Sequence, residues 1–102
     1  MGSRRNIKLI YELDTKLFFY THWDGEELES VLKNALIRGK TRWDDKDYLA
    51  RIIFSEMIKD DIEGTTGYGI APYECDPQYE TIVVNLEKQT VNNLSFEEFI
   101  NN

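Results

Sequence analysis

A histidine, an aromatic ring, a carboxylate and a glycine follow one another at His22, Trp23, Asp24 and Gly25. His22 is the only histidine of the chain, and a neutral imidazole next to an acid has the groups needed for general-base catalysis or for contact with an anion. A histidine at the end of a strand is also commonly held there by a hydrogen bond. The sequence leaves both roles of His22 open.

The other residues of this motif match a helix start. An apolar residue, a capping residue, an acid three positions later and a further apolar residue occur in this order at 23–28, 43–48 and 94–99. This is the pattern of a capping box combined with a hydrophobic staple, in which the cap side chain accepts a hydrogen bond from an otherwise unpaired backbone N–H. Trp23 is therefore expected to be packed, and the predicted N-caps are Asp24, Asp44 and Ser95.

Three tyrosines stand among acidic residues around the third predicted strand. Tyrosine is enriched in binding hot spots, and carboxylates attract basic partners, so this combination is typical of a protein-binding surface. Ordinary packing within a strand is the alternative explanation. Together with His22, the predicted partner-binding residues are Tyr68, Tyr73, Glu74, Asp76, Tyr79 and Glu80.

The remaining motifs that could form a chemical site have the wrong residue spacing or too few of the required residues. Cys75 is the only cysteine, so neither an internal disulfide nor a zinc site of four Cys or His ligands can form within the chain. No Lys-Ser or Lys-Thr follows the glycines of residues 64–69, and the acids of residues 60–63 lack the alternate spacing of a calcium loop. We therefore expect a protein that is not an enzyme, with no catalytic residue, no metal and no cofactor.

The net charge of −7 is concentrated in the second part of the chain. Residues 1–43 carry a slight basic excess, whereas residues 44–102 are strongly acidic. Such a field repels nucleic acid and favours basic partners, although it also serves simple solubility. No apolar run reaches the ~20 residues of a membrane helix, and a lone cysteine fits a reducing compartment. We expect a cytoplasmic protein that binds neither membranes nor nucleic acid directly.

Hydrophobic periodicity predicts an α+β fold. Strands are expected at 7–13, 16–23, 68–74 and 80–87 with a short return at 90–91, and helices at 25–38, 45–59 and 95–100. Pro72 favours an edge position for the strand at 68–74, because proline cannot donate to the ladder. The order ββααββ(β)α predicts a mostly antiparallel sheet of four to five strands with two main helices on one face. Residues 7–102 are predicted to form this single domain, after a flexible segment or tag remnant at 1–6.

The second predicted helix is apolar around most of its circumference. A helix of this kind is buried on more than one side. It is expected to lie between the sheet and the first helix, or to meet another chain with its outer side. Ile37 falls opposite the apolar stripe of the first helix and is expected to be exposed, so a homodimer is an open alternative.

The order of these motifs resembles a group of short proteins from phages and prophages. In that group a strand runs into His-Trp/Tyr-Asp-Gly, two helices follow, and a Gly-Tyr-Gly loop precedes an aromatic-rich acidic strand. The resemblance covers residues 7–91 and implies a viral accessory role rather than a particular mechanism. Its matching positions are His22, Trp23, Asp24, Gly25, Tyr48, Leu49, Gly67, Tyr68 and Gly69.

Three functions follow as hypotheses. The first is an accessory protein that inhibits a host protein with a basic nucleic-acid-binding surface, such as a CRISPR-type defence complex, by occupying a site built for phosphates. The second is a binder or sponge for a small nucleotide signal that uses His22, the loop at 64–69 and Tyr68. The third is a small hydrolase that uses His22 with an acid.

Overall fold

A sheet covered on one face by helices makes up the described part of the chain. The computed structural model describes residues 3–12, 14–60, 62–63 and 67–102. Within these residues there are six strands and three helices. The strands are β1 (Arg5–Glu12), β2 (Thr15–Thr21), β3 (Gly69–Ala71), β4 (Ile82–Asn85), β5 (Thr90–Val91) and β6 (Leu94–Ser95); the helices are α1 (Leu28–Arg38), α2 (Lys46–Ile58) and α3 (Phe96–Ile100).

The sheet is mixed, with the spatial order β3-β2-β1-β4-β5-β6. β1 and β4 run parallel, whereas the other neighbouring pairs are antiparallel. The predicted α+β class is confirmed, and β3 has the edge position that Pro72 indicated. The predicted strand number and order differ from the structure, which has ββααββββα within the described residues.

The additional strand, β6, follows a turn that the prediction did not include. Asn92 and Asn93 have φ angles of 48° and 76°, as the two central residues of a type I′ hairpin turn require. Asparagine tolerates this left-handed backbone better than other non-glycine residues. The turn therefore returns the chain directly from β5 to β6, where Leu94 was expected only to precede a helix.

One apolar cluster joins the sheet to the three helices. Ile7 and Leu9 point to the same face of β1 because side chains alternate along a strand, and both belong to this cluster. α2 contacts the sheet through Phe54, whose ring lies 5.0 Å from that of Phe19, and it also packs against α1. Ile37 is exposed, as predicted. The homodimer stays a prediction.

The connection from β3 to β4 contacts the opposite face of the sheet at Asn6. β3 lies at the edge and β4 lies beyond both β2 and β1, so residues 72–81, called the crossover from here on, must pass across those two strands. Asn6 faces this side because it alternates with Ile7, and it is only 1% exposed. Its amide donates to the Cys75 carbonyl at 2.7 Å and accepts from the Cys75 N–H at 3.0 Å. This pair of bonds fixes the crossover on β1.

The three predicted helix caps have different outcomes. Ser95 forms the complete capping box with Glu98, as predicted. α2 is capped by Asp45 rather than Asp44, since the Asp45 carboxylate accepts from the Tyr48 N–H. Asp24 makes no cap bond, and a 3₁₀ turn at Gly25–Glu27 precedes α1. The capping predictions for Asp24 and Asp44 are therefore wrong.

Candidate functional site

The residues predicted to bind a partner fall into two groups. His22 and Tyr68 lie where β2 ends and the chain approaches β3. The other group lies on the crossover, and all of its members are exposed: Tyr73, Glu74, Asp76, Tyr79 and Glu80.

The backbone of His22 is held on both sides. Its N–H donates to the Gly67 carbonyl at 3.2 Å, and its own carbonyl accepts from the Ser3 N–H at 2.7 Å. Gly67 has a φ of 80°, and a Cβ at this position would lie 2.8 Å from the His22 Cβ, so the contact requires glycine. His22 thus has a structural role through its backbone, which the sequence did not assign.

The His22 imidazole itself is exposed and has aromatic neighbours. Its ring meets that of Tyr20 edge to face at 5.5 Å and lies 6.2 Å from the ring of Trp23. The Asp24 carboxylate accepts a hydrogen bond from the Tyr68 hydroxyl at 2.8 Å instead of orienting the imidazole. Within the described residues the arrangement is therefore not that of a general base held by an acid. Trp23 is exposed, not packed as the staple pattern predicted.

The side chain that stabilises the turn before α1 is that of Thr21, whereas Asp24 had been predicted to cap the helix. The buried Thr21 hydroxyl oxygen accepts from the Trp23 N–H at 3.3 Å and from the Asp24 N–H at 3.1 Å. A threonine hydroxyl bonded to the backbone two or three residues ahead stabilises a local turn. This turn leaves the Asp24 carboxylate free to accept from Tyr68 and points the rings of His22 and Trp23 into solvent.

Replacing Thr21 with valine is expected to lower the free energy of unfolding by about 1–2 kcal/mol, because two backbone N–H groups lose their acceptor while the side-chain volume is kept. Asp24→Asn is the matched control and is expected to lose no more than about 0.5 kcal/mol, because an amide oxygen still accepts from Tyr68. Chemical denaturation measures both values. A larger loss in Asp24→Asn than in Thr21→Val would contradict the assignment of the turn to Thr21.

Arg5 connects the turn before α1 to the crossover. Its Nε donates to the Glu80 carbonyl at 2.7 Å, and its Nη1 donates to the Gly25 carbonyl at 3.3 Å. Its Nη2 lies 3.6 Å from the Glu29 carboxylate, and the side chain is only 12% exposed. A Cβ on Gly25 would collide with the Ser3 carbonyl oxygen, which explains why glycine stands there. The turn and the crossover are therefore packed as one unit.

The two tyrosines of the crossover are accessible to a partner. Tyr73 is 66% exposed, and no contact of its ring with another aromatic or cationic side chain is present in the described residues. Tyr79 is partly covered, because its ring lies against Gly25. In the crossover, Tyr73 is therefore largely exposed, whereas one side of the Tyr79 ring is covered by Gly25.

The carboxylates of the crossover differ in how far they are neutralised. Glu74 accepts a hydrogen bond from the Thr81 hydroxyl. Asp76 is almost fully exposed and lies 3.8 Å from Arg4, whose Nε also donates to the Asp76 carbonyl. The Glu80 side chain makes no ion pair within the described residues. The surface therefore retains negative charge at solvent-exposed positions.

Cys75 lies in the middle of the crossover but is not suited to nucleophilic chemistry. Burial raises the pKa of its thiol, which keeps the sulfur protonated, and a protonated thiol is a poor nucleophile. Its backbone is engaged by Asn6 on both the donor and the acceptor side. Cys75 therefore serves as the point where the crossover is held.

A surface pocket of about 620 Å³ lies between the β1–β2 turn and the connection from α1 to α2. Burial, together with the Asp47 carboxylate, raises the pKa of Tyr11 in its wall, so the phenol stays protonated. The charged residues of the lining are Glu12, Arg42, Asp44, Asp45, Lys46 and Asp47. The excess of carboxylates disfavours an anionic nucleotide in this pocket, and neither His22 nor Tyr68 lines it. Gly64 of the proposed ligand loop and Asp61 lie outside the described residues.

The residues that position the site were missed at the sequence level. Arg4, Arg5 and Asn6 hold the crossover, but they precede the apolar alternation that indicated the first strand. The signal available in the sequence was Asn6, a polar residue that directly precedes this alternation. It lies on the same face of the strand as Lys8, away from the core. It gave no indication of a partner 69 residues away in the chain.

Two further properties bear on the functional class. No helix in the described ranges is long and apolar enough to cross a membrane. Across residues 3–12, 14–60, 62–63 and 67–102, no group of three or more His, Cys, Asp or Glu side chains is arranged to hold a metal ion. Comparison with protein-family models, with curated proteins and with solved structures finds no match to this chain.

Proposed function

We propose that this chain is a phage-type accessory protein that inhibits a host protein by binding to it. The proposed partner has a basic surface that binds nucleic acid, as in a CRISPR-type defence complex. The chain occupies that surface and competes with the phosphates that would otherwise lie there. The phage-type role rests on the sequence resemblance, and the binding role rests on the surface of the crossover.

The observation that carries the proposal is the exposure of tyrosines and carboxylates on a backbone that is held in place. Hydrogen bonds from Asn6 and Arg5 hold the crossover at Cys75 and Glu80. A surface that is already ordered loses less conformational entropy on binding than a flexible loop does. Exposed tyrosine then supplies contact area, and the neighbouring carboxylates supply attraction to Lys and Arg.

The charge around the crossover supports a basic partner. From residue 60 to residue 87 the chain contains no Lys, Arg or His. The same stretch contains the carboxylates Asp60, Asp61, Glu63, Glu74, Asp76, Glu80 and Glu87. Arg4 and Arg5 reduce this charge locally, but both guanidinium groups are directed toward carbonyl groups of the crossover and its neighbours. A phosphate backbone is repelled by such a surface, whereas a basic protein is attracted.

The test is capture of a partner from host extract, followed by a salt titration. Binding is expected to weaken strongly between about 0.1 and 1 M salt, over which the Debye length falls from about 10 to about 3 Å. Changing Glu74, Asp76 and Glu80 together to their amides is expected to weaken binding about tenfold, if each surface charge contributes about 0.5 kcal/mol.

The matched control changes the same number of exposed carboxylates elsewhere, namely Glu12, Asp14 and Asp47. The control has the same net charge as the crossover variant, so a general effect of charge would weaken both equally. Equal loss in the two variants, or binding that does not respond to salt, counts against the crossover as the binding surface. A captured partner whose contact surface is acidic would overturn the proposal as a whole.

A further inference from the structure

Among the residues that the structure describes, β3 has a neighbouring strand on one side only. It pairs with β2 on one side only, in the register Phe18↔Ala71, Phe19↔Ile70 and Tyr20↔Gly69. The hydrogen bond from the His22 N–H to the Gly67 carbonyl continues this register by two residues. Hydrogen-bonded and non-hydrogen-bonded pairs alternate in an antiparallel ladder, so Phe19 and Ile70 form a non-hydrogen-bonded pair. The N–H and C=O of Ile70 therefore point away from β2, toward the open edge.

Pro72 stands two residues after Ile70 and has the same orientation. Proline has no N–H, so it removes a donor from the open side of the strand and none from the ladder with β2. This shortens the edge that another strand can use but leaves the donor and the acceptor of Ile70 in place. A short extended segment can therefore pair with Ile70, whereas a long strand cannot pair along the whole edge.

The side chains along this edge are apolar and accessible. Ile70 is 53% exposed, and Tyr73 is more exposed still, just beyond the end of β3. Trp23, also exposed, follows the end of β2 and so lies at the end of the sheet where β3 begins. An open edge with exposed apolar side chains is a template for strand pairing.

The charges flanking β3 favour a basic occupant. Glu63 precedes the strand and Glu74 follows it, and no cation occurs between them in the chain. Lys16 of β2 is the nearest cation in the register, two residues beyond the pair Phe18↔Ala71. A second copy on this edge would bring its own Glu63 and Glu74 to the same acidic flanks and would supply no cation between them, so charge disfavours a second copy as the occupant.

We propose that the basic partner binds by adding an extended strand to the β3 edge, with an apolar residue beside Ile70 and Lys or Arg residues on either side. The backbone groups of Ile70 pair with this strand, Tyr73 and Trp23 contact its side chains, and Glu63 and Glu74 attract its flanks. This inference rests on the proposed function only for the basic character of the partner.

The first test uses a synthetic heptapeptide of alternating lysine and valine as the probe. Saturating peptide is expected to slow hydrogen exchange of the Ile70 amide at least ~tenfold, because a paired amide exchanges only when the pairing opens. The same peptide with every backbone amide N-methylated, and a version with glutamate in place of lysine, are both expected to bind at least ~tenfold more weakly. Equal binding of the three peptides would overturn the proposal.

The second test changes the edge itself. Ile70→Pro removes the outward N–H while keeping the bonds between β2 and β3, and it is expected to weaken the lysine–valine peptide about tenfold. Ile70→Val keeps the N–H and is expected to bind within about threefold of the original chain. If thermal unfolding shows that Ile70→Pro does not fold, the N-methylated peptide tests the other bond of the same pair, from the peptide N–H to the Ile70 carbonyl. Equal affinity of the folded proline and valine variants would overturn strand addition.

Three further outcomes separate this inference from its alternatives. Protection of the Ile70 amide without peptide, in a protein that scatters light as a dimer, assigns the edge to a second copy and overturns the proposal. If Ile70→Pro binds the host partner as tightly as the original chain does, strand addition at the β3 edge is overturned. The proposed function is not affected by that result. If the peptide binds at the edge but no basic host protein is captured, strand addition at β3 is supported and the proposed function is contradicted.

Discussion

Replacing Asn6 with alanine is expected to lower the free energy of unfolding by about 2–4 kcal/mol. The Asn6 side chain donates to the Cys75 carbonyl and accepts from the Cys75 N–H, at 2.7 and 3.0 Å. Each bond contributes about 1 kcal/mol, and a buried group left without a partner costs about 1–3 kcal/mol more. Alanine removes both bonds at once, at a position that is almost fully buried.

Chemical denaturation measures this loss against Asn34→Ala. Asn34 is exposed on α1, so its replacement is expected to change the stability by no more than about 0.5 kcal/mol, in the stabilising direction that helix propensity favours. A change for Asn6→Ala of no more than about 0.5 kcal/mol would show that water replaces the amide and that the crossover does not depend on Asn6.

The same substitution separates folding from binding. Within the described residues the Asn6 side chain hydrogen-bonds only the backbone of Cys75, and it thereby holds the segment that carries Tyr73 and Glu74. We therefore expect the folded fraction of Asn6→Ala to bind a basic partner more weakly than the original chain, because a mobile crossover must be ordered on binding. Binding measured well below the unfolding temperature, with the folded fraction known, gives this comparison.

Local patterns predicted the elements whose partners are near in the chain. The alternation of Ile7 and Leu9 indicated β1, and the periodic apolar residues indicated α1 and α2. Ser95 and Glu98 are three residues apart, so their capping box could be predicted directly. In each of these cases the physical cause lies within one strand or one or two helical turns.

The prediction failed where a side chain forms its hydrogen bond with a residue that is distant in the chain and not with a local one. Asp24 fits the local cap pattern, but it accepts from Tyr68, which is 44 residues away, while Thr21 satisfies the turn. Asn6 pairs with the backbone of Cys75 across the sheet. The parallel pairing of β1 with β4 has the same origin, because it depends on the path of the crossover and not on the alternation within either strand.

The motif at residues 22–25 connects distant parts of the chain. Its backbone contacts Gly67 and Ser3, and its glycine packs against Tyr79. The exposed rings of His22 and Trp23 remain available to a partner at the end of the β3 edge. The stretch that first suggested catalysis therefore lies beside the strand edge at which we propose that a partner binds.

Replacing Glu56 with glutamine is expected to lower the free energy of unfolding at neutral pH by about 1.5–3 kcal/mol, the usual contribution of hydrogen bonds to a charged group. The Glu56 side chain is 4% exposed and accepts from Arg38 Nε at 2.8 Å and from Lys59 Nζ at 2.9 Å. The bond from Arg38 connects the end of α1 to α2, and the bond from Lys59 is local to the end of α2. Glutamine keeps the volume of the side chain, but it has no charge and one acceptor oxygen fewer.

The pH dependence of this difference identifies its cause. Burial acts to raise the pKa of Glu56, but the hydrogen bonds from Lys59 and Arg38 outweigh it, so the pKa lies below its ordinary value. A group with a lowered pKa in the folded state contributes its full stability above the ordinary value of 4.5, and this contribution is lost as the pH falls through the folded pKa. The original chain and Glu56→Gln should therefore approach each other in stability in acid.

Glu97→Gln is the matched control, because Glu97 forms an exposed ion pair with Lys40 at 3.5 Å. Exposed pairs contribute about 0–1 kcal/mol, so this variant should remain close to the original chain at neutral pH. Urea denaturation of the three proteins at several pH values measures the differences. A Glu56→Gln difference that stays constant through the acid range would assign its effect to packing, and the ionic connection between the two helices would then contribute nothing to stability.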